Sequence, residues 1–91
     1  MLSPTAPVAS APSVPRYFFH LHDSDRIDDD EGVDLADVAA ARDYAVECAR
    51  DVVCGDIKQG WLNLEHWIDV TDAHGAHVLK LTFRDAFALH R

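Results

Sequence analysis

The stretch Arg16-Tyr-Phe-Phe-His-Leu-His-Asp23 is the first apolar run of the chain, and it decides the fold that we expect. Alternate side chains of a strand point to opposite faces, so this stretch predicts a strand with one apolar face. The inward residues of that strand are Tyr17, Phe19 and Leu21. The outward residues are Phe18, His20 and His22. Asp23-Ser-Asp25 is typical of a turn, so a short second strand from Arg26 to Asp28 would complete a hairpin.

A long helix is expected next, because Asp37 can cap the free amides of a helix that follows it. Apolar residues recur at spacings of three and four and form one predicted stripe: Val38, Ala41, Ala45, Cys48 and Val52. The helix either ends at Gly55 or continues to Gln59, with Gly60 as a left-handed stop. We favour the longer helix, because Ile57 would otherwise have no face on which to pack.

Two further strands are indicated by alternation, from His66 to Thr71 and from His77 to Phe83. The loop Asp72-Ala-His-Gly75 is typical of a hairpin connection. Regular alternation places Val78, Lys80 and Thr82 on the same outer face as Trp67 and Asp69. The sequence therefore predicts a two-layer α+β fold, in which a mostly antiparallel sheet in ββαββ order packs on one long helix.

The domain organisation follows from length and proline content. Ninety-one residues are enough for one domain. All four prolines lie within the first fifteen residues, in an uncharged segment rich in Ala and Ser. Such a segment buries too little apolar surface to offset the entropy of ordering it. We expect residues 1–15 to form a disordered tail and residues 16–91 to form a single α+β domain.

The charge balance excludes several classes of function. The net charge is −8, with 16 acidic and 8 scattered basic residues, which disfavours binding of nucleic acid by the bare domain and of anionic membranes. No run approaches the roughly 18 apolar residues of a membrane span. Cys48 and Cys54 are six residues apart on the predicted helix, too far for a disulfide. Together with the lack of a convincing export signal, they favour a cytoplasmic protein.

No catalytic residue and no cofactor are indicated. Cys48 lies in the apolar stripe and is expected to be inert. Ser24 is the only serine of the foldable part, and no phosphate-binding glycine loop exists. The sequence favours a small non-enzymatic interaction or regulatory module that binds a protein partner or forms a homodimer. Aromatic residues on an open sheet face and a nearby acidic loop mark the predicted partner-binding residues, which are Phe18, His20, His22, Trp67, Lys80, Asp29, Asp30 and Glu31.

A metal-binding domain is the alternative prediction. His20 and His22 lie two residues apart on one side of a strand, and Asp69 is a candidate third ligand. A calcium site of the EF-hand type is excluded, because placing Gly32 at loop position six puts Ile27 and Val38 at the ligand positions one and twelve.

Several motifs together resemble a family of small bacterial proteins known only as a domain of unknown function. They are Pro15-Arg-Tyr-Phe-Phe-His20, Asp30-Glu-Gly-Val-Asp-Leu-Ala-Asp37, Ile68-Asp-Val-Thr-Asp72 and Leu81-Thr-Phe-Arg-Asp85. Members typically open with Pro-Arg-Tyr-Phe-Phe-His, so residues 1–14 are expected to be an extension or the result of an early start codon. The resemblance implies a single domain of cytoplasmic bacterial origin and carries no functional residues. By pattern only, the acidic strand pair leading into an Ala-rich helix is also similar to antitoxin domains of the HicB type, which would imply a basic toxin as partner.

Overall fold

A computed structural model describes residues 14–87, and these residues form a five-stranded antiparallel sheet and one long helix. In chain order the elements are β1 (Arg16–His22), β2 (Arg26–Ile27), β3 (Val33–Asp34), α1 (Val38–Lys58), β4 (Trp67–Thr71), β5 (His77–Thr82) and a 3₁₀ helix (Phe83–Ala86). The predicted α+β class is confirmed, and the two-residue strand β3 adds to the predicted ββαββ order. The predicted tail, apart from Val14 and Pro15, lies outside the described residues.

Strand β1 organises the sheet, because it pairs with three other strands. The order along the sheet is β2-β1-β4-β5, and β3 pairs with the beginning of β1. Both short strands lie along the same edge of β1: Tyr17 is opposite Val33, and Leu21 is opposite Ile27. On its other edge β1 pairs with β4 over five residues. The opening stretch of the sequence is therefore an interior strand.

The apolar core lies between the sheet and α1. Its largest fully buried side chains are Phe83, Leu81 and Val70. The predicted inward face of β1 is confirmed, since Tyr17 is buried and Phe19 and Leu21 pack against the core.

The buried stripe of α1 differs from the predicted one at its first residue and in its second half. The buried residues recur every four positions and are Ala41, Ala45, Ala49 and Val53. Cys48 and Val52 are only partly buried, and Val38 is 49% exposed. Alanine side chains let the helix approach the sheet closely, because the distance between packed elements is set by the side chains at the contact. The three small residues therefore form the line of closest approach.

A β-bulge changes which side chains of β5 face outward. Val70 pairs with Leu79, whereas its neighbour Thr71 pairs with His77, so Val78 is an extra residue without a partner on β4. The prediction that Val78 lies on the outer face is wrong, because Val78 packs against the core. His77 takes the outward position instead.

The longer helix is confirmed, but the reason given for it is wrong, because Ile57 is 57% exposed. Helix α1 continues through Gly55 to Lys58, Gln59 caps it, and Gly60 adopts a φ of 95°. The N-terminal cap is also as predicted, since the side chain of Asp37 accepts a hydrogen bond from the amide of Ala40 at 2.9 Å. None of the described helices combines the length and apolar composition that a membrane span requires.

Replacing Gly55 with alanine is expected to stabilise the domain by about 0.5–1 kcal/mol, because glycine inside a helix is entropically unfavourable. A Cβ atom added there meets nothing within 4 Å. Urea denaturation followed by circular dichroism measures the change. Gly60→Ala is the control and should destabilise, because Gly60 needs its positive φ. A loss of stability in Gly55→Ala would contradict the expectation.

Candidate functional site

The side of the sheet that faces away from α1, here called the outer face, is not covered by any helix within residues 14–87. Strand pairing arranges its side chains in three rows across β1, β4 and β5. These rows are Phe18, Thr71 and His77; His20, Asp69 and Lys80; and His22, Trp67 and Thr82. The predicted partner-binding residues of the strands are therefore neighbours on one surface.

Trp67 is the centre of an aromatic stack on the outer face. The rings of His22 and Trp67 lie 4.8 Å apart with an angle of 10° between their planes. From the side of β5, the ammonium group of Lys80 lies 4.2 Å from the centre of the Trp67 ring. A cation over an indole ring is stabilised by about 0.5–1 kcal/mol at an exposed position. The side chains that flank Trp67 therefore hold it in position, while its own side chain stays partly exposed.

His20 is held in place by neighbours at both of its ring nitrogens. Its Nδ1 accepts a hydrogen bond from the backbone amide of Asp29 at 3.1 Å. Its Nε2 lies 3.0 Å from the hydroxyl of Thr71, which can both donate and accept a hydrogen bond. The side chain of His20 is only 12% exposed. His20 therefore connects the sheet to the acidic loop through both of its nitrogens.

The metal-binding alternative gains no support from this geometry and stays a prediction. Within residues 14–87, no three His, Cys, Asp or Glu side chains come together as a possible metal site. His20 would have to give up one of its hydrogen bonds to coordinate a metal. Asp69 is instead paired with Nδ1 of His77 at 2.7 Å. His22 has a buried Nε2 without a partner among the described residues.

Asp29 holds the acidic loop against β1. One of its carboxylate oxygens accepts the amide hydrogen of Phe19 at 3.1 Å, and the other accepts those of Glu31 at 3.0 Å and Gly32 at 3.1 Å. Burial opposes ionisation of Asp29, but the hydrogen bonds from Gly32, Phe19 and Glu31 outweigh it and lower its pKa. The Phe19 bond lies between the positions where β2 and β3 pair with β1. Asp29 therefore closes the gap along this edge of the sheet.

The rest of the acidic loop is partly neutralised. The guanidinium of Arg16 bonds both carboxylate oxygens of Asp34, and Arg26 bonds Asp28 and lowers the pKa of that carboxyl. Asp30 and Glu31 are exposed. Of the three predicted partner-binding residues in the loop, Asp29 has a structural role, while Asp30 and Glu31 are accessible to a partner.

Two further surface features were not anticipated. A pocket of about 340 Å³ lies at one end of the sheet, lined by Tyr17, Val38, Val78 and the loop that begins at Asp72. A small apolar patch lies just beyond α1, where Ile57, Trp61 and Leu62 are 57%, 46% and 53% exposed. The apolar character of the residues after the helix was a signal for this patch.

Comparison with known proteins identifies the family. The family model described as "Domain of unknown function (DUF6894)" matches residues 16–84. The chain belongs to this family. The DUF6894 match extends from the first residue of β1 into the 3₁₀ helix, so it includes the whole sheet, α1 and the outer face. No curated protein and no solved structure matches the chain.

The DUF6894 domain carries three outer-face residues that were predicted neither as partner-binding residues nor as metal ligands: Thr71, His77 and Thr82. The alternation that places Trp67 and Lys80 on the outer face also places Thr71 and Thr82 there, so the sequence pattern was sufficient to predict their orientation. His77 could not be found in this way, because its orientation depends on the bulge at Val78.

Proposed function

We propose that this DUF6894 domain is a small non-enzymatic binding module that holds a protein partner on its outer face. One observation carries the proposal: the stack of His22, Trp67 and Lys80 lies partly exposed on a sheet face that no described helix covers. Aromatic residues are enriched at the centres of protein interfaces, where they bury large areas with few rotatable bonds.

Charge indicates what kind of partner fits. Asp30 and Glu31 lie beyond β1, on a protein whose net charge is −8. Complementary charge increases the rate of association and suppresses wrong partners. We therefore propose a partner with basic residues that face the acidic loop, a requirement that a basic toxin would also meet. A second copy of the domain would bring two strongly acidic molecules together and is the less favourable occupant.

The proposal extends to the setting in which the module acts. A bacterial cytoplasmic protein is supported by the family resemblance and by Cys48 and Cys54, whose thiols are both free. Free thiols are typical of a reducing compartment. The burial of Cys48 raises the pKa of its thiol, which keeps it protonated and unreactive.

Trp67→Ala is expected to weaken partner binding by at least about thirtyfold, because truncating a central interface residue costs about 2 kcal/mol or more. The probe is a set of twelve-residue peptides selected from a random display library on the wild-type domain, with affinities measured by fluorescence polarisation. The selected peptides should be rich in Arg, Lys and aromatic residues.

The matched control is Trp61→Ala, since Trp61 is the other tryptophan and lies in the apolar patch beyond α1. This variant should bind the selected peptides as the wild type does, and thermal unfolding verifies that both variants are folded. Equal affinity in Trp67→Ala, or loss in Trp61→Ala alone, would overturn the outer face as the binding surface. Sedimentation of the wild type shows whether a second copy binds there instead.

A further inference from the structure

The two edges of the sheet differ. The edge of β1 is covered by β2 and β3, and the carboxylate of Asp29 accepts the Phe19 amide between them. Strand β5 forms the opposite edge, and within residues 14–87 no strand pairs with its outer side. An uncovered strand edge offers a row of main-chain donors and acceptors to an additional strand. Among the described residues, one edge is therefore closed and the other is available.

The backbone groups that β5 presents outward can be assigned from the register. The amide of Phe83 donates to the carbonyl of His66 on the β4 side at 2.8 Å. In an antiparallel pair, every second residue bonds across the pair and the residues between them point away. Leu81 and Leu79 therefore face β4, whereas the amides of Lys80 and Thr82 point outward. These two residues define the main-chain positions that a new strand would meet.

The charge of this edge is opposite to that of the rest of the protein. The segment 73–84 contains no Asp or Glu, although the chain has 16 of them, and it includes Lys80 and Arg84. His77 and Lys80 are exposed, and both project from the outer face. Arg84 bonds Glu65, which leaves Lys80 as the principal cation of the edge. His77 is already paired with Asp69, so a strand added here would be favoured by acidic side chains beside Lys80.

We propose, on the basis of the proposed function, that the partner docks through an extended acidic segment that adds to β5 as a further strand of the sheet. Main-chain hydrogen bonds to Lys80 and Thr82 provide the affinity, as in other cases of strand addition. Acidic side chains on the outer face of the segment meet Lys80. Apolar side chains on its inner face extend the core beside Leu79, which is only partly buried.

The acidic loop does not prevent this docking. Neighbouring strands are about 4.8 Å apart, so the loop beyond β1 lies more than about 10 Å from a strand added to β5. Exposed charges at this separation are largely screened at physiological salt, where the Debye length is about 8 Å. A second copy is a poorer occupant, because antiparallel self-pairing centred on Lys80 would place two ammonium groups opposite each other. The partner proposed here combines a basic region near the loop with an acidic strand along β5.

Amide hydrogen exchange in the full chain tests the proposal. The probe is a capped seven-residue peptide, Thr-Val-Glu-Val-Glu-Val-Thr, and its control has Lys in place of both Glu residues. On addition of the Glu peptide, exchange should slow at Lys80 and Thr82, while Leu79 and Leu81 are already slow in the free domain. The Lys peptide should bind about tenfold more weakly, since a favourable cross-strand charge pair with Lys80 becomes a repulsive one.

Two variants separate the backbone contribution from the charge. Lys80→Pro removes the outward amide together with the ammonium group, without removing a bond to β4, so it should bind neither peptide. Lys80→Glu keeps the amide and should reverse the preference in favour of the Lys peptide. Should Lys80→Pro fail to fold, Lys80→Glu and the exchange pattern still decide the matter.

Unchanged exchange at Lys80 and Thr82 with saturating Glu peptide would overturn strand addition. If the library peptides still bound in a way that depends on Trp67, the proposed function would stand without strand addition to β5. Protection that grows with protein concentration in the absence of peptide would also overturn the proposal, because it would assign the edge to a second copy.

Discussion

Gly32→Ala is expected to destabilise the domain by about 2–4 kcal/mol, through a left-handed backbone and a steric clash that act together. Gly32 has a φ of 74°. A Cβ atom at this position would lie 2.8 Å from Cγ of Arg16, 2.9 Å from Cε2 of Phe18 and 3.0 Å from the carbonyl oxygen of Tyr17. The carbonyl belongs to β1 and cannot move aside as a flexible side chain can. Equilibrium denaturation in urea measures the loss.

The matched control is Gly75→Ala, because Gly75 has a similar φ of 82° but a Cβ atom there meets nothing within 4 Å. Only the conformational penalty applies, so the expected loss is about 1–2 kcal/mol. The difference between the two losses of stability measures the cost of the steric clash between the loop and β1. Equal losses of stability would show that the structure relieves this clash without strain.

Asp29→Ala is expected to destabilise the domain by about 2–3 kcal/mol, because hydrogen bonds to a charged acceptor are stronger than neutral ones and the part-buried Phe19 amide loses its partner. The bonds from Glu31 and Gly32 are lost as well. Asp30→Ala is the control, since Asp30 is exposed. Surface replacements of that kind usually change stability by less than about 0.5 kcal/mol. Comparable losses in the two variants would contradict a structural role for Asp29.

Asp29 is also expected to make the stability of the domain depend on pH. The pKa of Asp29 is lower in the folded protein than its ordinary value of 3.8. The unfolded chain therefore binds the proton more readily, so the contribution of Asp29 is fully present above its ordinary pKa and is lost as the pH falls through the lower folded value. Wild-type stability should decrease between about pH 5 and pH 2. The stability of the Asp29→Asn variant should decrease less over this pH range. Denaturation midpoints measured across it test this, and parallel curves would refute it.

Much of the fold could be predicted because its signals are local. Alternation identified the inward face of β1, the aspartate before the helical pattern identified the cap of α1, and Gly60 marked its end. Side-chain direction in a strand and capping at a helix end depend on neighbours in the sequence. For the same reason, the predicted face residues Phe18, His22 and Trp67 lie together on the outer face.

The remaining features depend on contacts between distant residues. The bulge at Val78 arises from pairing with β4, and it exchanges the orientations of His77 and Val78 in a way that alternation cannot reveal. In the sequence, Asp29 is indistinguishable from the other acidic residues of the loop. It differs from Asp30 because the backbone amides of Phe19 and Gly32 lie within hydrogen-bonding distance of its carboxylate. The composition of the loop therefore predicted only an acidic surface. The structural role of Asp29 depends on where the loop lies against β1.

The carboxylate of Asp29 has a consequence for stoichiometry. A sheet that can be extended along both edges can grow without limit as molecules add to one another, which is the route to fibres. In this domain one direction of growth ends at Asp29 and the two short strands beside it. A strand added to β5 would then be the last of its sheet unless the partner brought a free edge of its own. The proposed strand addition would therefore give finite one-to-one complexes, in which the added strand ends the sheet instead of propagating it.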